Sequence, residues 1–377
     1  MSTNPTSEQT LSIIGCGNMG TAILNGLLKA QTQAQTTPPS TSTSTSTSTT
    51  PALPKSYIAT TRSATSYTKL TNLFTPYLTP TDPDSPKVTI LHGPDANLTA
   101  IQKATTILLC IDPADIPTFF ADATLRAALS GKFLISIAAG WTRSALFNLV
   151  RDVHDLQIIR TLPNMAALVG QSVTAIEVPP GAPTDTSEGR ANPTDAHITL
   201  TQTIFSAVGQ TQLIPPAQMT AFTAVGGSTP AFVAVFADAL IEGAVAMGFP
   251  RGDARTTVLQ ALRGATALMQ EGGLHPALLR DQGTSPGGCT MGGLMVLEER
   301  GLRGTVARGM REAVSVAGLM GRQAEGGEGF VNGTRPNETG FSTAKGLYSS
   351  HPSLTALTPA EAVDLYLLLT PAAQSST

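Results

Sequence analysis

Between residues 11 and 160 the chain alternates short apolar runs, rich in β-branched residues, with segments whose apolar positions repeat at helical spacing. The runs predict strands over 11–14, 56–60, 88–91, 106–111, 133–137 and 157–160. The intervening pattern predicts helices that include 21–30, 117–129 and 144–150. Strands alternating with helices build a mostly parallel sheet covered on both faces, and right-handed crossovers make it doubly wound. After residue 215 the strand signal ends. Segments 231–247, 254–271, 291–300 and 302–324 read as helices with small and apolar residues around most of their circumference. Such helices are buried on several sides, as in a bundle or a core between subunits.

Two polar stretches interrupt the alternation. Residues 31–55 contain PPSTSTSTSTSTTP, which has no apolar side chain to bury and reads as a disordered insertion, with an O-glycosylated stalk as the alternative. Residues 178–196 are rich in Pro, Gly, Asp and Thr and read as a surface loop. The resulting plan is a flexible 1–10, an α/β domain over 11–214, an all-α domain over 215–324, and a loosely ordered tail over 325–377 with one helical pattern at 360–369.

Composition narrows the function classes. Charged residues are 13% of the 377, the net charge is −3 and no basic stripe occurs, which argues against a nucleic-acid partner. Cys16, Cys110 and Cys289 lack metal-knuckle spacing and are odd in number, so a reduced compartment is expected. The opening MSTNPTSEQT has neither an apolar signal core nor basic residues. The longest apolar run, around 231–247, is interrupted by Asp238 and Glu242 and is read as too short to span a membrane. A soluble cytoplasmic protein with no membrane partner is the expectation.

The first thirty residues carry the clearest chemistry. Gly15-Cys16-Gly17-Asn18-Met19-Gly20 is a G-x-G-x-x-G placed directly after an apolar strand and before a helix. Gly15 permits the tight turn, Gly17 lets the backbone approach a pyrophosphate, and Gly20 lets helix and strand pack closely. The free N–H groups of the helix start favour phosphate. This is the dinucleotide-binding βα unit of a Rossmann domain, and it points to an NAD(P)-dependent oxidoreductase. The second strand ends in Thr61-Arg62-Ser63, where NAD enzymes usually carry an acid for the ribose 2′-hydroxyl. An arginine flanked by hydroxyls suits a 2′-phosphate, so NADPH is favoured, with NADH possible and a solvated surface Arg62 as the bland alternative.

A second constellation, DQGTSPGGCT over 281–290, precedes the helix at 291–300. Thr290 falls at the helix start, a capping position, and Ser285 and Thr290 add hydroxyls to a turn of free N–H groups. This is either an anion site suited to a small carboxylate or a well-made helix cap without a ligand. The glycine-rich 221–232 and the loop 160–170 are further candidates that nothing within them decides.

Together these segments resemble the pyrroline-5-carboxylate reductase family. The pieces are IIGCGNMG, ISIAAGWT, IIRTLPN, FTAVGGSTPAF, AMGFPR and DQGTSPGGCTMGGLMVLEERGLRG, in family order and spacing over 11 to about 320. The resemblance implies a Rossmann domain followed by an all-α dimerisation domain, with a cyclic imino acid bound at a homodimer interface or within a dimer-based homo-oligomer. It implies that Gly283, Ser285, Gly288 and the backbone of Cys289 and Thr290 hold the substrate carboxylate, and that the Thr290 hydroxyl, the catalytic candidate, bonds the ring nitrogen. Ile111, Asp112, Pro113, Ala138, Ala139, Gly140 and Gln282 would join the glycine turn, Asn18 and Met19 around the cofactor. Hydride transfer to an imine needs no strongly perturbed acid or base, which suits a sequence whose five histidines all lie outside these motifs.

The chain departs from the family pattern in three places. A-V-K-P becomes Cys110-Ile111-Asp112-Pro113, S-G-S-G-P becomes Gly226-Gly227-Ser228-Thr229-Pro230, and N-T-P becomes Asn164-Met165-Ala166. These changes leave two alternatives beside proline synthesis: reduction of another cyclic imino acid, and a catalytically weak NADPH-binding oligomeric relative.

Overall fold

The structure is a computed structural model that describes residues 9–36, 52–82, 84–181 and 192–324. The expectations for the first eight residues, the Ser/Thr repeat, most of the loop insertion, and the tail with its helix at 360–369 lie outside the described residues.

The apolar runs inside the sheet become strands because both faces of each are covered, which favours near-continuous Ile, Leu and Val. In chain order the elements of the α/β part are β1 (Thr10–Ile14), α1 (Asn18–Thr36), β2 (Ser56–Thr61), α2 (Ala64–Leu73), α3 (Thr75–Leu78), β3 (Lys87–His92), α4 (Ala96–Lys103), β4 (Thr106–Leu109), α5 (Ile116–Ala121), α6 (Ala123–Ala128), β5 (Phe133–Ser136), α7 (Arg143–Leu149), β6 (Gln157–Leu162), β7 (Ser172–Glu177), α8 (Asp195–Ser206) and β8 (Gly209–Ile214). Among the described residues they form one eight-stranded sheet in the order β3-β2-β1-β4-β5-β6-β7-β8. It is parallel except where β7 runs against β6, pairing Thr161 with Ile176. On one face Leu11, Ile13, Leu108 and Ile135 bury against Ile23, Leu24, Leu27 and Leu28 of α1 and Ile204 and Phe205 of α8. On the other, Ile14, Ile107, Leu109 and Leu134 bury against Ile101, Ile116, Phe120 and Leu146 of α4, α5 and α7. The two sets alternate along each strand, as the period of two requires.

Several expectations need correction. The helix at 117–129 breaks in two because the Asp122 carboxylate accepts from the N–H groups of Thr124 and Leu125 and caps α6. The strands expected to reach 111 and 137 stop at Leu109 and Ser136, so residues 110–113 and 137–140 leave the sheet and line its edge. Residues 31–36 of the expected insertion are the end of α1. β7 and β8 have no counterpart among the predicted strands.

The helical part comprises α9 (Pro216–Phe222), a π-helical turn (Thr223–Ser228), α10 (Thr229–Ala246), α11 (Arg251–Gln270), α12 (Pro276–Gln282), α13 (Cys289–Glu299) and α14 (Leu302–Ala324). α9, the π turn and α10 run on as a 31-residue segment that is long and apolar enough to cross a membrane by length and composition. This corrects the expectation that no such run exists. Asp238 and Glu242 lie four residues apart on one face and leave the rest of the helix apolar. The helices are not buried on several sides within one chain: Val235, Phe236, Met295 and Val296 are all exposed. Apolar exposure on this scale is characteristic of an interaction surface.

Candidate functional site

The order reversal between β1 and β4 opens a crevice at the carboxyl ends of the parallel strands, where ligands of doubly wound sheets bind. Four predicted segments meet along this edge: 15–20 after β1, 61–63 at the end of β2, 111–113 after β4, and 138–140 after β5.

The glycine turn is built as its sequence requires. Gly15 has a φ of +78°, and a Cβ there would stand 2.7 Å from Ile111 Cγ2. Its N–H donates to Thr60 Oγ1 at 3.1 Å, and the Cys16 N–H donates to the Thr60 carbonyl at 2.8 Å, which fastens the turn to β2. A Cβ at Gly20 would lie 3.0 Å from Ile13 Cγ2, so this glycine lets α1 sit on β1. At Gly17 a Cβ would meet nothing within 4 Å. That position opens outward, leaving the space a pyrophosphate needs beside the N-terminus of α1, where Asn18 is exposed and Met19 half-buried. Cys16 and Cys110 lie beneath the turn. Burial pushes the Cys16 thiol up to about 12 and Cys110 well above its ordinary value, so both pack as neutral thiols.

The ribose end of the crevice differs from the sequence reading in one respect. Thr61 is buried, and Ser63 caps α2 by accepting from the Ser66 N–H. Arg62 is exposed, but its Nη1 lies 3.2 Å from Asp115 Oδ2. Asp115 closes a short 3-10 turn (Pro113–Asp115) whose first residue is preceded by Asp112, and the Asp112 carboxylate folds back to accept from the Ala114 N–H. Sequence reading missed Asp115, because no local pattern reports a contact across 53 positions.

At the opposite end, the Trp141 indole N–H donates to the Pro113 carbonyl at 2.9 Å, tying the segment after β4 to the segment after β5. Gly140 has a φ of +79°, and a Cβ there would be 3.5 Å from the Met320 backbone of α14. The buried Asn164 amide donates to the Gly226 carbonyl in the π turn at 2.9 Å and accepts from the Ala166 N–H. These contacts join the helical part to the sheet, in part through the 160–170 and 221–232 segments. Thr229, a departure from the family pattern, donates its hydroxyl to the Val225 carbonyl. Under the joint, a cavity of about 130 Å³ is lined by Arg143, Arg160 and Glu177, with Arg160 and Glu177 paired at 2.8 Å.

Residues 282–290 are carried by the helical part. Gln282 ends α12, Gly283, Ser285, Cys289 and Thr290 are exposed, and Gly287 takes a φ of +68°. Gly288, not Thr290, is the N-cap of α13, and Thr290 lies inside its first turn. The expected capping role therefore fails: Gly288 has the extended backbone a cap requires, and Thr290 is already helical. Its hydroxyl makes no hydrogen bond among the described residues. His275 caps α12 instead, its Nδ1 accepting from the Ala277 N–H.

Residues 216–320 match the family described as pyrroline-5-carboxylate reductase dimerisation, and residues 10–140 match NADP oxidoreductase coenzyme F420-dependent. The chain is 39% identical over 340 residues to a pyrroline-5-carboxylate reductase of Lophium arboricola, covering 87% of this chain and 97% of the relative. It is 36% identical over 346 residues to that of Neurospora crassa, with the same coverage of 87% and 97%. The solved structure of Plasmodium falciparum pyrroline carboxylate reductase with NADP bound shares the fold at a TM-score of 0.60 and 21% identity, over 83% of this chain and 98% of that one.

Proposed function

The chain belongs to the pyrroline-5-carboxylate reductase family, and we propose that it reduces 1-pyrroline-5-carboxylate to L-proline with NADPH as the hydride donor. The observation that carries this reading is the crevice at the β1/β4 reversal. It has a phosphate turn open at Gly17 and a cation at the ribose position, and its far end is joined to the helical part that bears SPGGCT.

When bound there, NADPH supplies a hydride for the C=N carbon. The residues of this chain bind and orient. The free N–H groups of the first turn of α1, from Asn18 onward, take the pyrophosphate that the glycine turn lets approach, Thr61, Arg62 and Ser63 flank the ribose, and 111–113, 138–140 and Gln282 bound the remainder. Gly283, Ser285, Gly288 and the backbone of Cys289 and Thr290 hold the substrate carboxylate, and the Thr290 hydroxyl bonds the ring nitrogen. Orientation of this kind is the protein's share of catalysis when the imine is readily protonated.

The exposed apolar residues of α10 and α13 support a second copy of the chain as their cover, making the working form a homodimer or a dimer-based homo-oligomer. A cytoplasmic location, with neither a membrane nor a nucleic acid as partner, is part of the same proposal, and cell fractionation tests the location. The activity is tested by following NADPH absorbance with 1-pyrroline-5-carboxylate and with its six-membered-ring analogue. Preferred turnover of the first supports proline synthesis. Preference for the second favours the reading suggested by Asp112, Met165 and Thr229, and turnover of neither would overturn the enzymatic assignment.

A further inference from the structure

The cofactor crevice carries a charge that the family motifs do not explain. Arg62 stands at the end of β2 and Asp115 on the turn after β4, the strands on either side of β1 and its phosphate turn. Their side chains nevertheless meet at 3.2 Å, across the mouth of the half of the crevice where adenosine would lie. Asp115 precedes α5 but makes no capping bond with its side chain, so the fold gives that carboxylate no local task. Neighbouring Asp112 is already satisfied by the Ala114 N–H, which leaves Asp115 as the carboxylate of this turn that faces Arg62.

We propose that Asp115 is a specificity-determining residue that holds the selectivity between NADPH and NADH low by competing with the 2′-phosphate for Arg62. This deepens the cofactor reading above and rests on it. The reasoning is electrostatic. Without a 2′-phosphate, Asp115 keeps the Arg62 guanidinium paired, so an NADH-bound site leaves no cation uncompensated. With a 2′-phosphate, Arg62 exchanges one anion for another, and the released carboxylate faces the phosphate across a few ångströms. Like charges so placed oppose one another, and at an exposed site the opposition is modest and screened by salt. Both side chains are largely exposed, so the ion pair adds little to folding, and its consequence falls on binding.

The test is equilibrium binding to the full-length protein, read from quenching of the single tryptophan, Trp141, by NADPH and NADH, and by displacement of NADH with adenosine 2′,5′-bisphosphate and with 5′-AMP. Asp115→Asn is expected to tighten NADPH and the bisphosphate roughly three- to tenfold at low salt, with NADH and AMP changed little. The gain should shrink as salt rises toward 0.5 M, where the Debye length falls to about 4 Å. It should also largely disappear in the Arg62→Ala background. Arg62→Ala alone should weaken the 2′-phosphorylated ligands and spare the others. If Arg62→Ala weakens them but Asp115→Asn leaves the ratio of the two cofactors unchanged, the role of Asp115 is overturned and the 2′-phosphate reading stands. If Arg62→Ala weakens both classes equally, the 2′-phosphate reading fails and this inference fails with it.

Discussion

Ile13, Leu24 and Leu108 of the sheet region are fully buried within one chain, whereas Val235, Met295 and Val296 of the helical region lie open in the same chain. The sheet region satisfies its apolar surface internally, and its crevice is assembled from four segments of one polypeptide. The helical region carries the SPGGCT loop on an apolar surface that awaits cover. Binding of cofactor should therefore be a property of one chain, and turnover a property of the assembled one. The first prediction attacks that division. Val235→Lys puts an ammonium into the proposed contact, where burying an unpaired charge is costly. We expect the oligomer to dissociate in sedimentation experiments and turnover to fall about a hundredfold, with quenching of Trp141 by NADPH retained. A monomeric variant with full turnover would break the comparison, because the substrate loop would then work without a partner.

Thr290→Ala sharpens the comparison from within the helical region. The hydroxyl makes no hydrogen bond among the described residues and does not cap α13, so its removal should leave the melting temperature unchanged. If it bonds the ring nitrogen, the turnover number should fall roughly 10- to 100-fold while NADPH affinity stays constant. Unchanged kinetics would remove Thr290 from the site.

Gly17 and Gly20 offer the matching contrast in the sheet region. Gly17→Val adds a side chain into open space, so the fold should hold while cofactor affinity drops about tenfold or more, as the approach of phosphate is blocked. Gly20→Val instead drives a side chain into Ile13, and overpacking of this kind costs about 1–3 kcal/mol of stability. Thermal melts and cofactor titrations of the two variants should separate a binding glycine from a packing glycine. Equal losses of stability would show that the two positions are not distinct.

How far the sequence could be read follows the same division. β1, β2 and β4 to β6 are legible because each is an apolar run covered on both faces, and the edge strand β3 because its VTIL core is still an apolar, β-branched run; G-x-G-x-x-G identifies the crevice because its strand and helix context is visible. β8, GQTQLI, was not legible. It is an edge strand with three of its six residues exposed and two glutamines among them, so its composition looks like a polar connection. β7 was lost for a related reason: Thr174 and Glu177 are buried polar residues that interrupt the apolar signal, and Glu177 is tolerated because Arg160 meets it. The helical elements are legible but their surroundings are not, since apolar residues around a helix do not say whether the cover comes from the same chain. Asp115 and Asn164 matter through partners 53 and 62 positions away, which no window of sequence contains. The resemblance supplied roles for residues 283–290 that the residues themselves had left open between an anion site and a bare cap.

The smallest expected effect lies in the sheet region, far from the crevice in function but within the same core. His197 sits in the first turn of α8, stacked on Phe133 with ring centroids 4.2 Å apart, and its Nδ1 accepts from the Thr194 N–H while Thr194 Oγ1 accepts from the His197 N–H. Burial holds its pKa below the ordinary histidine value, so the folded state keeps the ring neutral where the unfolded chain would already take a proton. Stability from this group is therefore complete above about pH 6.5, declines as the pH falls through that value, and levels off once the folded ring protonates too. His197→Gln can still accept from the Thr194 N–H, as Gln does in a capping box, but cannot titrate. Between pH 7.5 and pH 5 the melting temperature of the parent should fall further than that of His197→Gln, while the two proteins share every other titrating group. Parallel declines would mean that His197 contributes nothing to the pH dependence of the sheet region, and that its stacking on Phe133 matters only as packing.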